Sequence, residues 1–302
     1  MVNAIKKYPI YAALLAAMLL WASSFIAMKL AFSGYDPRLV IFGRMAVATV
    51  CFLPIVGRLK GNRYRKGDIK YILFMALCEP CLYFIFEAKA LENTTASQAG
   101  MITAMLPLMV ALSAGLLLKE RISRRTVFGF ALAIAGAVWL SAGARPSEQA
   151  PHPALGNFLE FLAMACATGY TISLKYLTER YNPFFLTALM AFAGSIFFLP
   201  VLFMPSTVFP VRLHPVATLC IVYLGVFVTI GAFGLYNLAV SKIPANQATA
   251  FVNLIPVGTV LLGWLILNET LTPMQLLASA LVIGGVVISQ DKIPQAQQSD
   301  RR

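Results

Sequence analysis

Residues 90–138 are the most informative stretch of the chain and read ALENTTASQAGMITAMLPLMVALSAGLLLKERISRRTVFGFALAIAGAV. The pattern returns without a gap 149 positions later, so that Ala90 corresponds to Ala239. Self-similarity at a fixed shift indicates a duplicated structural unit. Other identical pairs on this shift are Ala96 and Ala245, Gln98 and Gln247, Ala99 and Ala248, Pro107 and Pro256, Glu120 and Glu269, Leu132 and Leu281, Ile134 and Ile283, and Gly136 and Gly285.

An earlier block is also duplicated, with a shift of 146 positions. Ile26 corresponds to Ile172 and Lys29 to Lys175, while residues 36–37 (Asp-Pro) correspond to 182–183 (Asn-Pro). The two blocks together predict two copies of one unit, at about residues 8–144 and 155–290. We therefore expect two structural repeats, residues 1–150 and 151–302, the second ending in a short tail.

The composition is that of a membrane protein, since 59% of residues are hydrophobic and 12% are charged, about half the charged share of a soluble domain. Long apolar runs alternate with short polar breaks, and no period-two alternation typical of membrane strands is visible. The sequence predicts an all-α polytopic membrane protein. The ten expected spans are 9–32, 37–57, 69–90, 95–118, 126–144, 155–178, 183–204, 216–239, 244–267 and 274–290.

The net charge of +12 does not indicate a nucleic-acid partner, because the basic residues lie on one predicted side of the membrane. This is the positive-inside pattern, and it predicts that both termini are cytoplasmic. The basic residues on that side are Lys6, Lys7, Arg58, Lys60, Arg63, Arg65, Lys66, Lys119, Arg121, Arg124, Arg125, Lys175, Arg180, Lys242, Lys292, Arg301 and Arg302. The opposite loops carry Arg38, Arg145 and Arg212.

Five spans per copy is an odd number, so the second copy is expected to enter the membrane upside down. The loops test this independently. Residues 119–125 hold four basic residues, whereas the equivalent loop 268–273 holds none. Opposite charge bias in equivalent loops is what an inverted repeat requires, and such symmetry gives a scaffold two related conformations.

The order and spacing of several short motifs resemble EamA-type transporters of the drug/metabolite transporter superfamily. The resemblance covers residues 8–290 and implies two inverted five-helix bundles that typically export small metabolites. Spans 1, 3, 4, 6, 8 and 9 would then face a central cavity, with spans 5 and 10 supporting the ends. It rests on residues 21–25 (Trp-Ala-Ser-Ser-Phe), Lys29, Pro37, Arg44, 90–91, 95–97, Pro107, 120–122 (Glu-Arg-Ile), Ala245, Ala248, Pro256, Glu269 and Gly285.

Acidic residues inside spans are costly to insert, and the third span carries two of them. Glu79 precedes Pro80, which can kink the helix, and Glu87 follows eight residues later. With Tyr83 and Phe86 these acids are expected on one helix face. A buried acid that binds and releases a proton would suit a proton-coupled carrier, or a site for an amino group.

A structural alternative stays open for these acids, namely neutralisation by Lys29, Arg44 or Lys89. Glu160 is a weaker functional candidate, nearer the end of its span. The positions that match Glu79 and Glu87 in the second copy are Val228 and Tyr236, so any charged site is asymmetric.

Aromatic and polar side chains supply the remaining candidates. Trp21, Phe25 and Lys29 are spaced by four in the first span, and aromatic walls with a few polar points are typical of small-molecule sites. Packing against neighbours or lipid is the alternative. Further candidates for substrate binding or helix–helix hydrogen bonds are Gln98, Thr103, Tyr170, Phe233, Tyr236, Asn253 and Trp264.

Metal and disulfide chemistry are weakly indicated. Residues 78–81 (Cys-Glu-Pro-Cys) have the spacing of a copper(I) site, with Cys166 as a third ligand. Small buried hydrophobic side chains are the more common use of cysteine. All five cysteines lie in predicted spans, so no disulfide framework is expected. We expect neither a metal nor another cofactor.

The residues thus predict a secondary transporter of the cytoplasmic membrane, not an enzyme, that works by alternating access. Its partners would be the lipid bilayer, a small-molecule substrate such as an amino acid, and protons. The alternatives are an efflux carrier for cations or drugs, a channel, and an intramembrane enzyme. His152 and His214 lie in Pro-flanked loops, which does not favour catalysis. The substrate, coupling ion, direction and oligomeric state stay open.

Overall fold

A computed structural model describes residues 8–59, 63–118 and 124–289. Its regular elements in these ranges are helices, apart from an isolated bridge between Ser147 and Ala150. The helical segments are α1 (Tyr8–Phe32), α2 (Pro37–Phe52), α3 (Asp68–Asn93), α4 (96–118), α5 (Arg124–Ala142), α6 (Pro153–Leu177), α7 (Pro183–Phe203), α8 (Pro215–Lys242), α9 (Ala245–Leu267) and α10 (Pro273–Ser289).

Seven segments in the described part are long and apolar enough to cross a membrane: α1, α3, α4, α5, α7, α8 and α9. The all-α membrane class predicted from the sequence is therefore confirmed. Among the others, α2 has 16 residues, and the apolar stretch of α10 is also short, at residues 273–288. The predicted count of ten spans stays a prediction.

Some predicted features fall outside the described ranges. They are Lys6, Lys7, Lys60, Lys119, Glu120, Arg121, Ile122, Lys292, Arg301 and Arg302. The predicted second span was also longer than α2, which ends at Phe52. Pro54 lies just beyond this end, where it lacks the backbone N–H that a continuing helix would need.

Matching sequence positions form matching local structures. Asp36 caps α2, its carboxylate accepting a bond of 2.9 Å from the Arg38 amide, and Asn182 caps α7 with the same 2.9 Å bond from Phe184. Proline follows each cap as the first helical residue, where its missing N–H is no loss. The shift of 146 seen in the sequence is thus repeated in backbone hydrogen bonds.

Irregular turns recur at equivalent places too. Helix α3 contains a π turn over Leu77–Leu82 and α8 contains one over Leu224–Ala232. Pro80 lies within the first turn, and its counterpart 149 residues later is Thr229. The Thr229 hydroxyl donates to the Leu224 carbonyl at 2.9 Å. A threonine hydroxyl that bonds to a carbonyl of the preceding turn often accompanies a helix distortion. Thr229 thus occupies in α8 the position that Pro80 occupies in α3.

Helices α5 and α10 pack against each other through glycines that the repeat makes equivalent. A Cβ atom on Gly136 would lie 2.8 Å from the amide nitrogen of Val282, and one on Gly285 would lie 2.7 Å from that of Ala133. The shift of 149 relates Gly136 to Gly285 and Ala133 to Val282, so the two contacts are reciprocal. Reciprocal contacts are what a two-fold relation between equivalent elements produces.

Helices α3 and α6 form a second tight pair. A Cβ atom on Gly156 would lie 2.8 Å from the carbonyl oxygen of Ala90, and one on Gly169 would lie 2.7 Å from the Cys78 sulfur. Residue numbers rise along α6 as they fall along α3, so the two helices are antiparallel. This pair forms one wall of a cavity in the centre of the protein.

Candidate substrate cavity

A central cavity is enclosed by α1, α2, α3, α4, α6, α8 and α9. Its free volume is about 40 Å³, room for only a few water molecules. An organic substrate would have to displace side chains to enter. The lining residues are Trp21, Ser24, Phe25, Arg44, Glu79, Tyr83, Phe84, Glu87, Thr103, Leu106, Met164, Ala167, Tyr170, Thr171, Phe233, Tyr236, Val252 and Ile255.

Most of this lining consists of pairs that the repeat makes equivalent. Adding 146 or 149 to one member gives the other: Trp21 and Ala167, Ser24 and Tyr170, Phe25 and Thr171, Phe84 and Phe233, Glu87 and Tyr236, Thr103 and Val252, and Leu106 and Ile255. The exceptions include Arg44, Glu79 and Tyr83, whose counterparts are Met190, Val228 and Ala232. The two repeats thus contribute a similar wall, and the first adds the charged groups.

The break in α3 places Glu79. This residue has extended backbone angles of φ −147° and ψ 120° inside the π turn, and the peptide bond to Pro80 is cis. The Glu79 side chain is buried and lines the cavity. No basic side chain in the described residues lies within 4.0 Å of it.

Glu87 and Arg44 form a buried ion pair. Arg44 Nη1 lies 3.8 Å from Glu87 Oε2, and the Tyr83 hydroxyl donates to Glu87 Oε1 at 2.9 Å. The guanidinium also lies over the ring of Phe84, 4.3 Å from its centroid, which is cation–π geometry. Of the neutralising partners considered from the sequence, Arg44 thus pairs with Glu87. Lys89 pairs instead with Glu92 at 3.4 Å.

The buried charges do not balance. Glu79, Glu87 and Glu160 are each 3% exposed or less, and Arg44 is 1% exposed. With every group ionised, three acids against one base would leave a charge of −2 at the centre of the protein. Burying unpaired charge is strongly unfavourable, so protons or a cationic group must supply the missing positive charge.

Aromatic rings from α1 and α8 form another part of the cavity wall. The ring centroids of Trp21 lie 5.1 Å from Phe233 and 4.9 Å from Tyr236. The Trp21 indole nitrogen is buried and has no hydrogen-bond partner among the described residues. Tyr170 is held in place by donating to Asn237 at 2.7 Å. The cavity therefore offers an unused donor on Trp21 beside its acidic groups.

Three sequence-predicted site residues lie outside the cavity lining. Lys29 donates to the Gln149 carbonyl at 2.8 Å, beside a separate recess of about 570 Å³. Gln98 accepts a bond from Asn157 and joins α4 to α6, which is the helix-joining alternative. Asn253 does not line the cavity, and its buried Oδ1 has no partner in the described part.

Other residues depart from the expected arrangement. Trp264 is 58% exposed and lies away from the cavity. Phe86 was expected to share the face of Glu79, but Phe84 lines the cavity in its place. Sequence reasoning also missed Thr171, although Phe25 was chosen and Thr171 is its repeat counterpart. Applying the shift to every candidate would have found it.

The cysteines at 78 and 81 are buried free thiols. Within the described ranges, no three side chains of His, Cys, Asp or Glu come together as a metal-binding group. Cys78 instead packs against Gly169, which is the ordinary use of a small buried side chain.

The helix ends around the cavity are held differently in the two repeats. Lys175 on α6 donates to the Val240 and Ile243 carbonyls at the end of α8, at 2.8 and 2.9 Å. Lys29, its counterpart on α1, makes no such bond to the end of α3 and reaches Gln149. Within the described ranges, a lysine thus joins one pair of helix ends, and the equivalent lysine does not join the other pair.

Glu269 joins the C-terminal end of α9 to the start of α4. Its carboxylate accepts 2.8 Å bonds from the Ala96 and Ser97 amides and a 2.6 Å bond from the Ser97 hydroxyl. A carboxylate at a helix N-terminus satisfies free N–H groups and complements the helix dipole. The repeat counterpart of Glu269 is Glu120, which lies outside the described residues.

Comparison with known proteins agrees with this architecture. The profile of the EamA-like transporter family matches residues 9–142 and 154–289. An uncharacterized transporter YetK of Bacillus subtilis is 26% identical over 94% of this chain and 87% of its own length. A probable terminal-alkyne amino-acid exporter of Streptantibioticus cattleyicolor is 27% identical over 91% of both chains. A solved structure titled "Crystal structure of protein" has a TM-score of 0.66 at 21% identity, covering 93% of this chain and 98% of its own.

Proposed function

Because the chain belongs to the EamA-like transporter family, we propose that it is a secondary active exporter of small organic molecules. It works by alternating access and not by catalysis. The observation that carries the proposal is the cavity wall of repeat-equivalent residues, centred on Phe84 and Phe233. A site on the axis between two inverted halves can face either side of the membrane by an equivalent movement.

The membrane arrangement that this mechanism needs has ten spans in two inverted five-helix repeats, with both termini cytoplasmic. The reciprocal contacts of Gly136 and Gly285 support the two-fold relation. The charge bias of the loops supports the orientation. The loops around Arg63 and Arg124 are strongly basic, whereas the equivalent loop of the first has Arg212 as its one basic residue and that of the second has none. Single cysteines at positions 63 and 270, in a variant without native cysteines, test it in intact cells. External labelling at 63 or cytoplasmic labelling at 270 would refute the inversion.

The proposed substrate class is amino acids or related molecules with both an amino and a carboxyl group. Glu79 and Glu87 supply negative charge for an amino group, and Arg44 and the Trp21 indole N–H can donate to a carboxylate. Trp21, Phe233 and Tyr236 form an apolar aromatic wall. The probable amino-acid exporter of Streptantibioticus cattleyicolor supports the same class.

An efflux carrier for organic cations is the second candidate, favoured by the excess of buried acids over bases. The two candidates differ in what they require of Arg44. A substrate with a carboxylate needs a cationic partner, whereas an amine without one does not. Proteoliposomes loaded in turn with an amino acid and with the decarboxylated amine of the same side chain distinguish them by counterflow.

Protons are the proposed coupling ion, and Glu79 is the proposed coupling residue. It lines the cavity, is buried, and lacks a basic partner within 4.0 Å in the described residues. A carboxyl group in such a place can alternate between a proton and a substrate amino group. The neutral amide of Glu79→Gln cannot bind and release a proton, whereas Glu87 still supplies negative charge for the amino group.

Gradient-driven uptake and substrate counterflow, measured side by side in proteoliposomes, test this role. Glu79→Gln should keep counterflow and lose uptake driven by a pH gradient. Loss of protein from the membrane in the same variant would indicate a structural role. Undiminished gradient-driven uptake would exclude Glu79 as the coupling residue.

A further inference from the structure

Glu160 is a buried acid that the proposed transport cycle does not yet use. It lies on α6 and has an exposed fraction of 0%. Neither carboxyl oxygen has a hydrogen-bond partner among the described residues, and no basic side chain there lies within 4.0 Å. It does not line the cavity. A substrate therefore cannot reach it directly.

The packing of α3 and α6 sets what Glu160 faces. Gly156 contacts Ala90, and Gly169 contacts Cys78, in antiparallel order. Glu160 lies one turn beyond Gly156 and therefore faces the turn of α3 that carries Glu87. Glu87 lines the cavity, whereas Glu160 does not.

Few titratable groups surround this place. From α3 they are Glu87 and Tyr83, with Glu79 further along, and from α2 the Arg44 guanidinium reaches Glu87. On the other sides, α4 and α5 present uncharged groups that bond to α6. Gln98 accepts from Asn157 at 3.0 Å, and the Asn157 amide donates to the Ser141 hydroxyl at 3.1 Å. The one nearby positive charge in the described part thus lies beyond Glu87.

The repeat shows that packing does not require an acid here. The counterpart of Glu160, 146 positions earlier, is Leu14, which is also fully buried. An ordinary leucine fills the equivalent place on α1. Because an unpaired carboxylate is strongly disfavoured in a buried apolar setting, Glu160 holds its proton as long as it has no hydrogen-bond partner.

Glu87 supplies the matching acceptor. Its Oε1 is bonded to Tyr83, but its Oε2 is buried without a hydrogen bond and has only the Arg44 charge at 3.8 Å. A carboxylic acid and a carboxylate side by side can share one proton, because two adjacent carboxylates cannot both be charged at low cost. Glu160 and Glu87 each have a carboxyl oxygen without a hydrogen-bond partner in the described part.

We propose that Glu160 carries the proton of a Glu87–Glu160 pair and exchanges it with Glu87 during transport. In the exchange the O–H bond on Glu160 breaks and an O–H bond forms on Glu87, so the pair keeps one proton and a charge of −1. Arg44 neutralises that charge in the conformation described here. When Arg44 moves away, Glu160 replaces it as the partner of Glu87. Glu160 is a positioning residue that acts through Glu87.

The inference rests on the proposed carrier function, and a matched set of variants tests it. Glu160→Gln keeps the shape and can still donate a hydrogen bond, but cannot give a proton. Glu160→Leu copies Leu14 of the first repeat. Counterflow in the wild type, measured over a range of pH, first establishes carrier activity. Its absence would overturn the proposed function.

The pH profile then tests Glu160 itself. Glu160→Gln should retain a counterflow rate within about threefold of the wild type at its best pH. Both Glu160 variants should lose the same part of the pH dependence of counterflow that the wild type shows. A profile identical to that of the wild type in the folded Gln variant would overturn the inference while leaving the carrier function intact.

Infrared spectroscopy of the purified full chain gives a second readout that needs no transport. A protonated carboxyl group has a C=O stretching band that a carboxylate lacks. The band should survive in Glu79→Gln/Glu87→Gln, which leaves Glu160 as the source, and should disappear when Glu160→Gln is added. Absence of the band from the double variant would overturn the inference even if neither Glu160 variant folds.

Discussion

The rings of Phe84 and Phe233, which are equivalent residues of the two repeats, meet edge to face with their centroids 6.4 Å apart. A residue can contact its own counterpart only close to the axis that relates them. Arg44 also lies over the Phe84 ring, 4.3 Å from its centroid. The charged part of the cavity therefore lies beside a contact between equivalent residues, although the charges themselves are not duplicated.

The reciprocal glycine contact between α5 and α10 can be tested by stability. Gly285→Ala should destabilise the protein by about 1–3 kcal/mol, because its Cβ would lie 2.5 Å from the Gly129 carbonyl oxygen. Gly136→Ala should behave alike. Gly284→Ala is the matched control, since nothing lies within 4 Å of a Cβ there. Thermal unfolding in detergent measures all three, and equal melting temperatures would contradict the close contact.

The Arg44–Glu87 pair predicts a non-additive mutation series. Arg44→Met, which introduces the residue of the second repeat, should cost about 3–5 kcal/mol because it strands a buried carboxylate. Glu87→Gln in the same background should recover much of that loss. A double-mutant cycle on unfolding free energies measures the coupling. Additive effects would mean that the two side chains do not interact.

We expect substitutions of the equivalent lysines Lys175 and Lys29 to differ in their effect on the distance between α6 and α8. Lys175→Met should release the end of α8 from α6, because it removes donors to the Val240 and Ile243 carbonyls. Spin labels at positions 178 and 242 should then show a broader and longer distance distribution. Lys29→Met is the control and should leave that distribution unchanged. If Lys29→Met broadened the distance distribution and Lys175→Met did not, Lys175 would not be the residue that holds the end of α8.

We expect the hydrogen bonds that Glu269 accepts at the start of α4 to stabilise the junction between α9 and α4. Glu269→Ala should lower stability by about 1–2 kcal/mol, because the amides of Ala96 and Ser97 lose their acceptor at a helix start. The exposed Glu148, in the loop before α6, provides a control at Glu148→Ala. Melting temperatures in detergent compare them. Equal effects would show that the Glu269 bonds contribute nothing specific.

Much of the helical arrangement could be predicted because it follows from local chemistry. The proline after each cap and the 146-residue shift anticipated the matching starts of α2 and α7. The second π turn is different, since Thr229 gives no signal comparable to Pro80. A sequence rule that looks for proline cannot predict a helix distortion that accompanies a threonine hydroxyl bond.

The site was harder to predict because spacing does not fix the rotation of a helix. Tyr83 and Glu87 share a face with Phe86 on one side and Phe84 on the other, and only tertiary packing selects Phe84. Lys29 shows the same limit. Its spacing from Trp21 and Phe25 is regular, but it lies beyond the cavity and bonds to Gln149.

The distribution of charge between helices has a consequence for how the protein could be observed at work. Glu79, Glu87 and Glu160 are all carried by the closely packed α3 and α6, whereas Arg44 is carried by α2. If α3 and α6 move as a unit, the acids keep their mutual distances and only their separation from Arg44 changes. Apart from the movement of protons, the charge displaced within the protein is then that of the Arg44 guanidinium relative to the three acids. Such a displacement produces a transient current, which would report the conformational step itself even when no substrate is carried across.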